Sequence, residues 1–136
     1  MNDISNSADT SVKRRTRLDP TLQSILDATL KPSRDLLYCA LCNAPITTHA
    51  ARVVINGSHE HRFTNPHGFQ FQVGCFCDAP GCSVSGPASH ADTWFPGFFW
   101  KIAACSECQH HLGWWFETVT GDGFYGLILP RLKSAV

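Results

Sequence analysis

Two Cys-x-x-Cys pairs constrain this chain more than any other feature of its 136 residues. Cys39 and Cys42 lie in "YCALCNAPI", and Cys105 and Cys108 lie in "ACSECQHHLG". Each spacing lets two thiolates at a tight turn face one ion, and four thiolates make a closed tetrahedral zinc site. We therefore predict one structural Zn²⁺ held by all four. Because 62 residues separate Cys42 from Cys105, the ion would join distant parts of one domain, and its loss should unfold that domain.

Disulfides and a redox-active Cys-x-x-Cys are the other uses of such pairs. The chain has seven cysteines, an odd number that fits a reducing compartment better than a fully paired disulfide framework. No strand–helix–strand pattern, which is typical of thioredoxin-like redox motifs, surrounds either pair. A second site could combine Cys75, Cys77 and Cys82 with His90. An apolar alternation already explains the first two, so we expect three buried or inert thiols.

Short strands and turns are predicted from Tyr38 onward, so the fold class is mainly β. In "FTNPHGFQFQVGCFC" a breaker precedes a strict alternation, which favours a strand with one apolar face. That face carries Phe69, Phe71, Val73, Cys75 and Cys77. The segments "FFWKIAAC", "GWWFETV" and "GFYGLILPRL" favour three more strands, and Asn56-Gly57 favours a tight turn. The composition of "DAPGCSVSGPAS" predicts a loop.

Residues 1–33 are predicted to be a disordered or partly helical tail. Residues 1–17 are polar and end in the basic cluster "KRRTR", with too few apolar side chains to offset the entropy of ordering. In "LDPTLQSILDATLKP" leucine and isoleucine recur at helical spacing before Pro32, which favours a short helix. Residues 34–136 are predicted to form a single domain.

The charge and hydropathy of the sequence argue against nucleic acid and membranes as partners. Eleven basic and eleven acidic residues cancel, so the net charge favours neither nucleic acid nor anionic lipid. No apolar run approaches the roughly 18 residues of a membrane span, and the first residues lack the apolar stretch of a secretory signal. We therefore expect a cytoplasmic protein without nucleic-acid or membrane partners.

All four tryptophans lie between Trp94 and Trp115, around the second Cys-x-x-Cys pair. Strand parity lets neighbouring strands bring Trp100, Trp114 and Phe116 together, while Trp115 points to the opposite face. Trp94 lies in a "TWFPG" turn that can fold over this cluster. Two interpretations stay open on these residues alone: ordinary core packing, or an aromatic pocket whose rim offers partners to the indole N–H groups.

A resemblance to a known family covers the segment from Tyr38 to Leu129. The residues "TWFPGFFWKIAACSECQHHLGWWF", with the upstream "NPHG" and the downstream "FYGL", closely resemble the thalidomide-binding domain of cereblon, also called the CULT domain. The resemblance implies a β-tent over residues 34–136, in which two antiparallel sheets meet at an angle and one structural zinc pins them. Because the chain has no room for the family's N-terminal domain and adaptor-binding region, we expect a stand-alone, bacterial-type member without a ubiquitin-ligase adaptor.

The same resemblance implies a small-molecule binding module that is not an enzyme. Family members bind cyclic imides, such as uracil and the glutarimide ring of thalidomide-type compounds, in a cage of three tryptophans. The matching residues are Trp94, Trp100 and Trp114 as walls, Phe116 as floor, Asp92 and Trp94 as the backbone edge that binds the imide, and Asn65 with Pro66 at the rim; Thr93, between the two edge residues, is also expected to bind ligand. Cereblon has histidine at the position of Asp92, so the resemblance carries over only the backbone contacts of that residue.

Two other functions compete with imide binding. An aromatic cage can hold a methylammonium group by cation–π attraction. The pattern C-x-x-C-x-x-H-L-G also resembles methionine sulfoxide reductase B, a zinc-containing enzyme with a catalytic cysteine on a late strand. No cysteine follows Cys108 in this chain, so the nucleophile of that reaction is missing.

Overall fold

The computed structural model describes residues 35–135, so the predicted tail of residues 1–33 lies outside the described residues. Within that range the chain forms strands and two short 3₁₀ helices, at His49–Ala51 and Leu129–Arg131, and no α-helix. The strands are β1 (Leu36–Cys39), β2 (Pro45–Thr48), β3 (Glu60–Thr64), β4 (Gln70–Phe76), β5 (Cys82–Ser89), β6 (Phe99–Cys105), β7 (His111–Glu117), β8 (Gly123–Ile128) and β9 (Leu132–Lys133). None of the helices in this part of the chain could cross a membrane.

The strands form two antiparallel sheets. The smaller sheet has the order β2-β1-β9, and the larger has the order β3-β4-β8-β7-β6-β5. Strands β6, β7 and β8 follow each other in the chain and pair as a meander, with Trp100 opposite Phe116 and Phe116 opposite Phe124. The predicted mainly-β fold with two antiparallel sheets is confirmed.

The prediction of a loop over "DAPGCSVSGPAS" is wrong for its second part, which forms the edge strand β5. Cys82 pairs with Cys105 and Ser85 with Ile102, so β6 supplies backbone partners that composition cannot reveal. The register shifts between Ser85 and Ser89, around Gly86, whose φ of 84° lies in the left-handed region. Such irregularity is typical of edge strands, which also tolerate proline better than central strands do.

Strand β4 is shorter than the predicted alternation. It ends at Phe76, and Phe69, which precedes it, is 66% exposed. The thiol of Cys75 is buried as predicted, and burial raises its pKa to about 12, so it stays protonated at neutral pH. Cys77 is exposed because the chain leaves the sheet after Phe76, and Cys82 is partly exposed. Burial was therefore predicted wrongly for Cys77.

Two apolar clusters fill the space behind the sheets. The first lies between β1, β2 and the larger sheet and consists of Leu37, Cys39, Ile46, Phe76, Ala79, Cys105, Leu112, Leu127 and Leu132. The second consists of Cys75, Phe95, Phe116 and Phe124, and Trp94, Trp100 and Trp114 pack against it. Cys39 and Cys105, one from each pair, thus belong to the first cluster, whereas Trp94, Trp100 and Trp114 pack against the second.

Gly81 joins the two sheets by backbone contact, and we expect Gly81→Ala to be strongly destabilising. Its N–H donates to the carbonyl of Ile46 in β2, and its own carbonyl accepts from the N–H of Ser106. An added Cβ would lie 2.6 Å from the Cα of Ile46 and closer still to the Pro45 carbonyl oxygen. Because backbone atoms must shift to admit it, the free energy of unfolding should fall by about 3 kcal/mol, measured by urea denaturation.

Gly97→Ala provides the control for that substitution. Nothing lies within 4 Å of a Cβ at Gly97, and its φ of 91° strains any other residue. Its loss of stability should be only about 1 kcal/mol, the usual cost of a left-handed conformation. Equal losses in the two variants would contradict the assignment of Gly81 as a contact point between the sheets.

Candidate functional site

The four predicted metal ligands converge on one point. Their Sγ atoms all lie within 4.8 Å of one another. Two of the distances are 3.7 Å, from Cys39 to Cys108, and 3.6 Å, from Cys42 to Cys105. A tetrahedral ion with bonds of ~2.3 Å to sulfur requires sulfur–sulfur separations of about 3.8 Å. The donor set therefore fits one tetrahedral metal ion.

The two pairs form equivalent knuckles at the ends of β1 and β6. In the first, the N–H of Asn43 donates to the carbonyl of Cys39 over 2.9 Å; in the second, Gln109 donates to Cys105 over 2.8 Å. Asn43 and Gln109 have φ values of 69° and 66°. In both turns the backbone therefore reverses through a left-handed residue directly after the second cysteine of the pair. This reversal turns both thiols of each pair toward the same side.

The cluster connects the smaller sheet with the larger one. Cys39 and Cys105 are fully buried in the first apolar cluster, whereas Cys42 and Cys108 lie nearer the surface. Cys82 lies opposite Cys105 in β5 but does not belong to the four-residue group. Burial raises the pKa of Cys82 to about 12, so it remains a thiol. These four cysteines could hold a metal ion, and they join parts of the chain that are distant in sequence.

A cavity of about 450 Å³ opens beside the second apolar cluster. Seven of the eight residues that were predicted to bind ligand lie around it: Asn65, Pro66, Asp92, Trp94, Trp100, Trp114 and Phe116. Thr93 does not line it. The other lining residues are His67, Phe71, Ala91 and His111, which sequence reasoning had not assigned to a site. The ligand-binding role of the predicted residues stays a prediction.

The tryptophans are packed as walls and are not stacked face to face. Trp94 and Trp114 meet edge to face, with ring centroids 4.8 Å apart and planes at 78°. Phe63 stacks against Trp94 at 4.6 Å, and Phe71 meets Trp114 edge-on at 5.6 Å. These neighbours pack against the two indoles, and both indoles line the cavity.

Trp100 is held by its polar edge. Its indole N–H donates to the carbonyl of Ala91 over 2.8 Å, which ties β6 to the turn that carries Asp92. Phe116, directly opposite Trp100 in the sheet, is buried and packs on Phe95 and Phe124. The base of the cavity is therefore continuous with the apolar core.

Trp115 lies on the other face of β7, as strand parity predicts. Its indole N–H donates to the carboxylate of Glu117 over 2.7 Å, and its ring contacts Tyr125. Lys101 completes this group with an ion pair to Glu117 at 3.5 Å. Trp115 has no part in the lining of the cavity.

At the rim, Asn65 holds the turn between β3 and β4. Its Oδ1 accepts from the N–H groups of His67 and Phe69, each over 2.9 Å, so this oxygen is already used within the turn. Pro66 and His67 follow at the edge of the cavity. The side chain of Asn65 therefore shapes the rim through the loop it closes.

The turn from Ala91 to Phe95 forms another wall. Asp92 has a φ of 54°, a left-handed conformation that aspartate adopts more easily than most residues. The hydroxyl of Thr93 is engaged with the backbone of Phe95, donating over 3.3 Å and accepting over 3.4 Å. Thr93 thus stabilises the turn, while Asp92 and Trp94 border the open space.

His111 is the most informative residue that the sequence reasoning did not assign. It belongs to the quoted motif "HLGWWF", but the motif was assigned through its aromatic residues. Its Nε2 lies 2.8 Å from the carbonyl of Gly113, and its ring meets Trp114 edge-on at 5.0 Å. Burial lowers the pKa of His111, and the nearby guanidinium of Arg131 adds to this effect. The lowered pKa favours the uncharged ring, and the 2.8 Å contact with the Gly113 carbonyl fits a proton on Nε2.

Arg131 connects the first knuckle with the wall of the cavity. Its Nη1 donates to the carbonyl of His111 over 2.7 Å, and its guanidinium lies 6.0 Å from the ring centre of Phe71. Its own carbonyl accepts from the N–H of Ala40, inside the Cys39–Cys42 turn. One residue therefore contacts both the metal-binding turn and two lining residues.

Sequence comparison finds cereblon proteins among the relatives of this chain. The chain is 36% identical over 81 residues to "Protein cereblon" of Gallus gallus, and 36% identical over 78 residues to that of Xenopus tropicalis, in each case over 54% of this chain. The Drosophila yakuba protein is 29% identical over 115 residues, or 79% of this chain. This is a cereblon-like domain. No protein-family model matches the chain.

The cereblon-like domain spans less than a fifth of each of these relatives, at 18%, 17% and 19% of their lengths. The similarity therefore applies to a domain and not to a whole protein. The expectations of a cytoplasmic location and of no ubiquitin-ligase adaptor stay predictions.

Proposed function

We propose that the cereblon-like domain binds small cyclic imides in the cavity between Trp94, Trp100 and Trp114. The observation that carries this proposal is an aromatic slot bordered by a turn with unused backbone polar groups. Within residues 35–135, the backbone N–H and carbonyl groups of Asp92 and Trp94 have no hydrogen-bond partner in the protein. These groups are therefore available to a ligand at the edge of the slot.

A cyclic imide matches such a slot chemically. Along one edge it presents an acceptor, a donor and an acceptor, which extended or turned backbone can satisfy, while its flat body slides between ring faces. A volume of about 450 Å³ lies within the ordinary range of small-molecule sites. Glutarimide, with eight heavy atoms at about 1 kcal/mol each, could reach micromolar affinity.

The cysteine cluster supports a structural role for Zn²⁺ in this proposal. Four thiolates leave a tetrahedral ion no open position for water or substrate, so a bound zinc would supply folding energy and no catalysis. Among the described residues that line the cavity there is no thiol and no hydroxyl nucleophile. Both features favour binding without a covalent step.

A second candidate function is recognition of a methylammonium group. The carboxylate of Asp92 borders the same aromatic walls, and cations are attracted both by carboxylates and by indole faces. A trimethyl-lysine peptide and an imide would then compete for one space. Imide binding is the better-supported candidate because it also uses the backbone groups of Asp92 and Trp94.

Titration of the protein with glutarimide tests the proposal. We expect saturable quenching or enhancement of tryptophan fluorescence with a Kd on the order of micromolar, because three indoles border the site. N-methylglutarimide keeps the ring but lacks the donor, and it should bind at least about tenfold more weakly, since the backbone acceptor would lose its partner. Titrations with uracil and succinimide under the same conditions show which other imide rings the cavity accepts.

Competition separates the two candidates. A fluorescent thalidomide analogue, followed by polarisation, should be displaced by glutarimide and not by a trimethyl-lysine peptide. Displacement by the peptide at lower concentration than by glutarimide would contradict imide binding in favour of a methylammonium reader. Absence of any fluorescence change with all the imides would mean that the tryptophans only pack as core.

A further inference from the structure

We propose that the cavity prefers imides that carry a protonated amine beside the ring, and that the carboxylate of Asp92 sets this preference. The inference rests on the proposed imide binding and extends it by a preference for the charge of the ligand. Its basis is the distribution of charge around the cavity.

Asp92 is the only acidic residue among the described residues that line the cavity, and none of them is lysine or arginine. The remaining lining groups are neutral apart from two histidines, His67 and His111. Burial lowers the pKa of His111, which favours its uncharged form. The lining therefore carries one carboxylate and no lysine or arginine of its own, although the guanidinium of Arg131 contacts two of its residues, Phe71 and His111.

The carboxylate of Asp92 is free to meet a ligand. Asp92 is exposed, and within residues 35–135 its side chain has neither an ion-pair nor a hydrogen-bond partner. The guanidinium of Arg131 is engaged elsewhere, with the carbonyl of His111 and the ring of Phe71. A cationic group on the ligand would thus be the partner that Asp92 lacks.

The aromatic walls act in the same direction. The indole faces of Trp94, Trp100 and Trp114 carry negative quadrupole potential, which attracts cations. A carboxylate and ring faces around one opening therefore favour a cation and disfavour an anion. A neutral imide can still use the backbone edge, so charge would modulate affinity and would not be required for it.

The test compares 3-aminoglutarimide with 3-acetamidoglutarimide by calorimetry at about pH 7, above the ordinary pKa of histidine. An α-amino group with an ordinary pKa of about 7.7–8.0 is mostly protonated there, whereas the acetamide is neutral. We expect the amine to bind about fivefold more tightly, the upper range for an exposed ion pair. Raising the salt concentration to about 0.5 M should reduce this ratio, because exposed charges are screened.

In the Asp92→Asn variant, the affinity for 3-aminoglutarimide relative to that for 3-acetamidoglutarimide should fall to about twofold or less. Asparagine preserves the size of the side chain and tolerates the left-handed conformation, so the backbone can keep its course. Because the readout is a ratio, any uniform loss of imide affinity cancels. Asp122→Asn, in the turn before β8 and outside the lining, is the matched control and should keep the full fivefold preference.

The outcomes separate the two proposals. If glutarimide itself does not bind the unmodified protein, the proposed function fails and this inference falls with it. If glutarimide binds but the amine gives no advantage, or Asp92→Asn retains the full advantage, only the preference for a cation is overturned.

Discussion

The Cys105→Ser variant is expected to lose its metal and to unfold at room temperature. Structural zinc contributes about 10–16 kcal/mol in zinc-finger peptides, whereas a whole domain has a net stability of about 5–15 kcal/mol. Cys105 is fully buried at the end of β6, where the four-cysteine cluster joins the larger sheet to β1. Atomic emission should find one zinc per chain in the unmodified protein and far less than one in the variant.

Circular dichroism should then record the loss of the folded state. If a residual fold survives, its Tm should lie at least about 15 °C lower, since each kcal/mol shifts Tm by about 4–8 °C in a domain of 60–100 residues. Cys77→Ser is the control, because this exposed cysteine lies outside the cluster and should change neither metal content nor Tm. A Cys105→Ser protein with full metal content and the original Tm would contradict the assignment of the ligands.

The four-cysteine cluster and the cavity are physically connected. Arg131 contacts the first knuckle through Ala40 and the cavity through His111. The second knuckle leads directly into β7, which carries Trp114 and Phe116. Loss of the ion should therefore also abolish ligand binding, whereas loss of a cavity wall should leave the ion in position.

The cysteine cluster could be predicted from the sequence because spacing alone constrains it. Two residues between thiols favour a tight turn, and both turns have a left-handed residue directly after the second cysteine. The positions of Trp100, Trp114 and Phe116 followed equally well from strand parity, since the period of two leaves only two faces. Such features depend on local geometry, which the sequence encodes directly.

The features that were missed depend on partners that are distant in sequence. Strand β5 is a strand because β6 lies beside it, although its own residues are small and polar. Cys77 is exposed because the sheet ends at Phe76, a limit that the alternation does not mark. His111 borders the cavity because Arg131 and Trp114 fix its backbone and ring, and neither contact follows from spacing.

The Trp100→Ala variant is expected to lose imide binding by at least about tenfold while it keeps its metal. The substitution removes a wall of the cavity and also the N–H that holds the carbonyl of Ala91, next to the proposed hydrogen-bonding turn. Trp100 is only half-buried and lies outside the first apolar cluster, which contains Cys39 and Cys105. Fluorescence is altered by the substitution itself, so calorimetry with glutarimide should measure the loss, and atomic emission the zinc.

Trp115→Ala is the matched control, because it removes the same side chain from the opposite face of the sheet, away from the cavity. It should lower stability through its contacts with Glu117 and Tyr125, yet leave glutarimide affinity within about twofold. Trp100→Phe is a third variant, which separates the two contributions of Trp100. It keeps an aromatic wall and loses only the hydrogen bond to Ala91. If Trp100→Ala lost zinc and ligand together, Trp100 would be part of the core, and the cavity would be a by-product of packing.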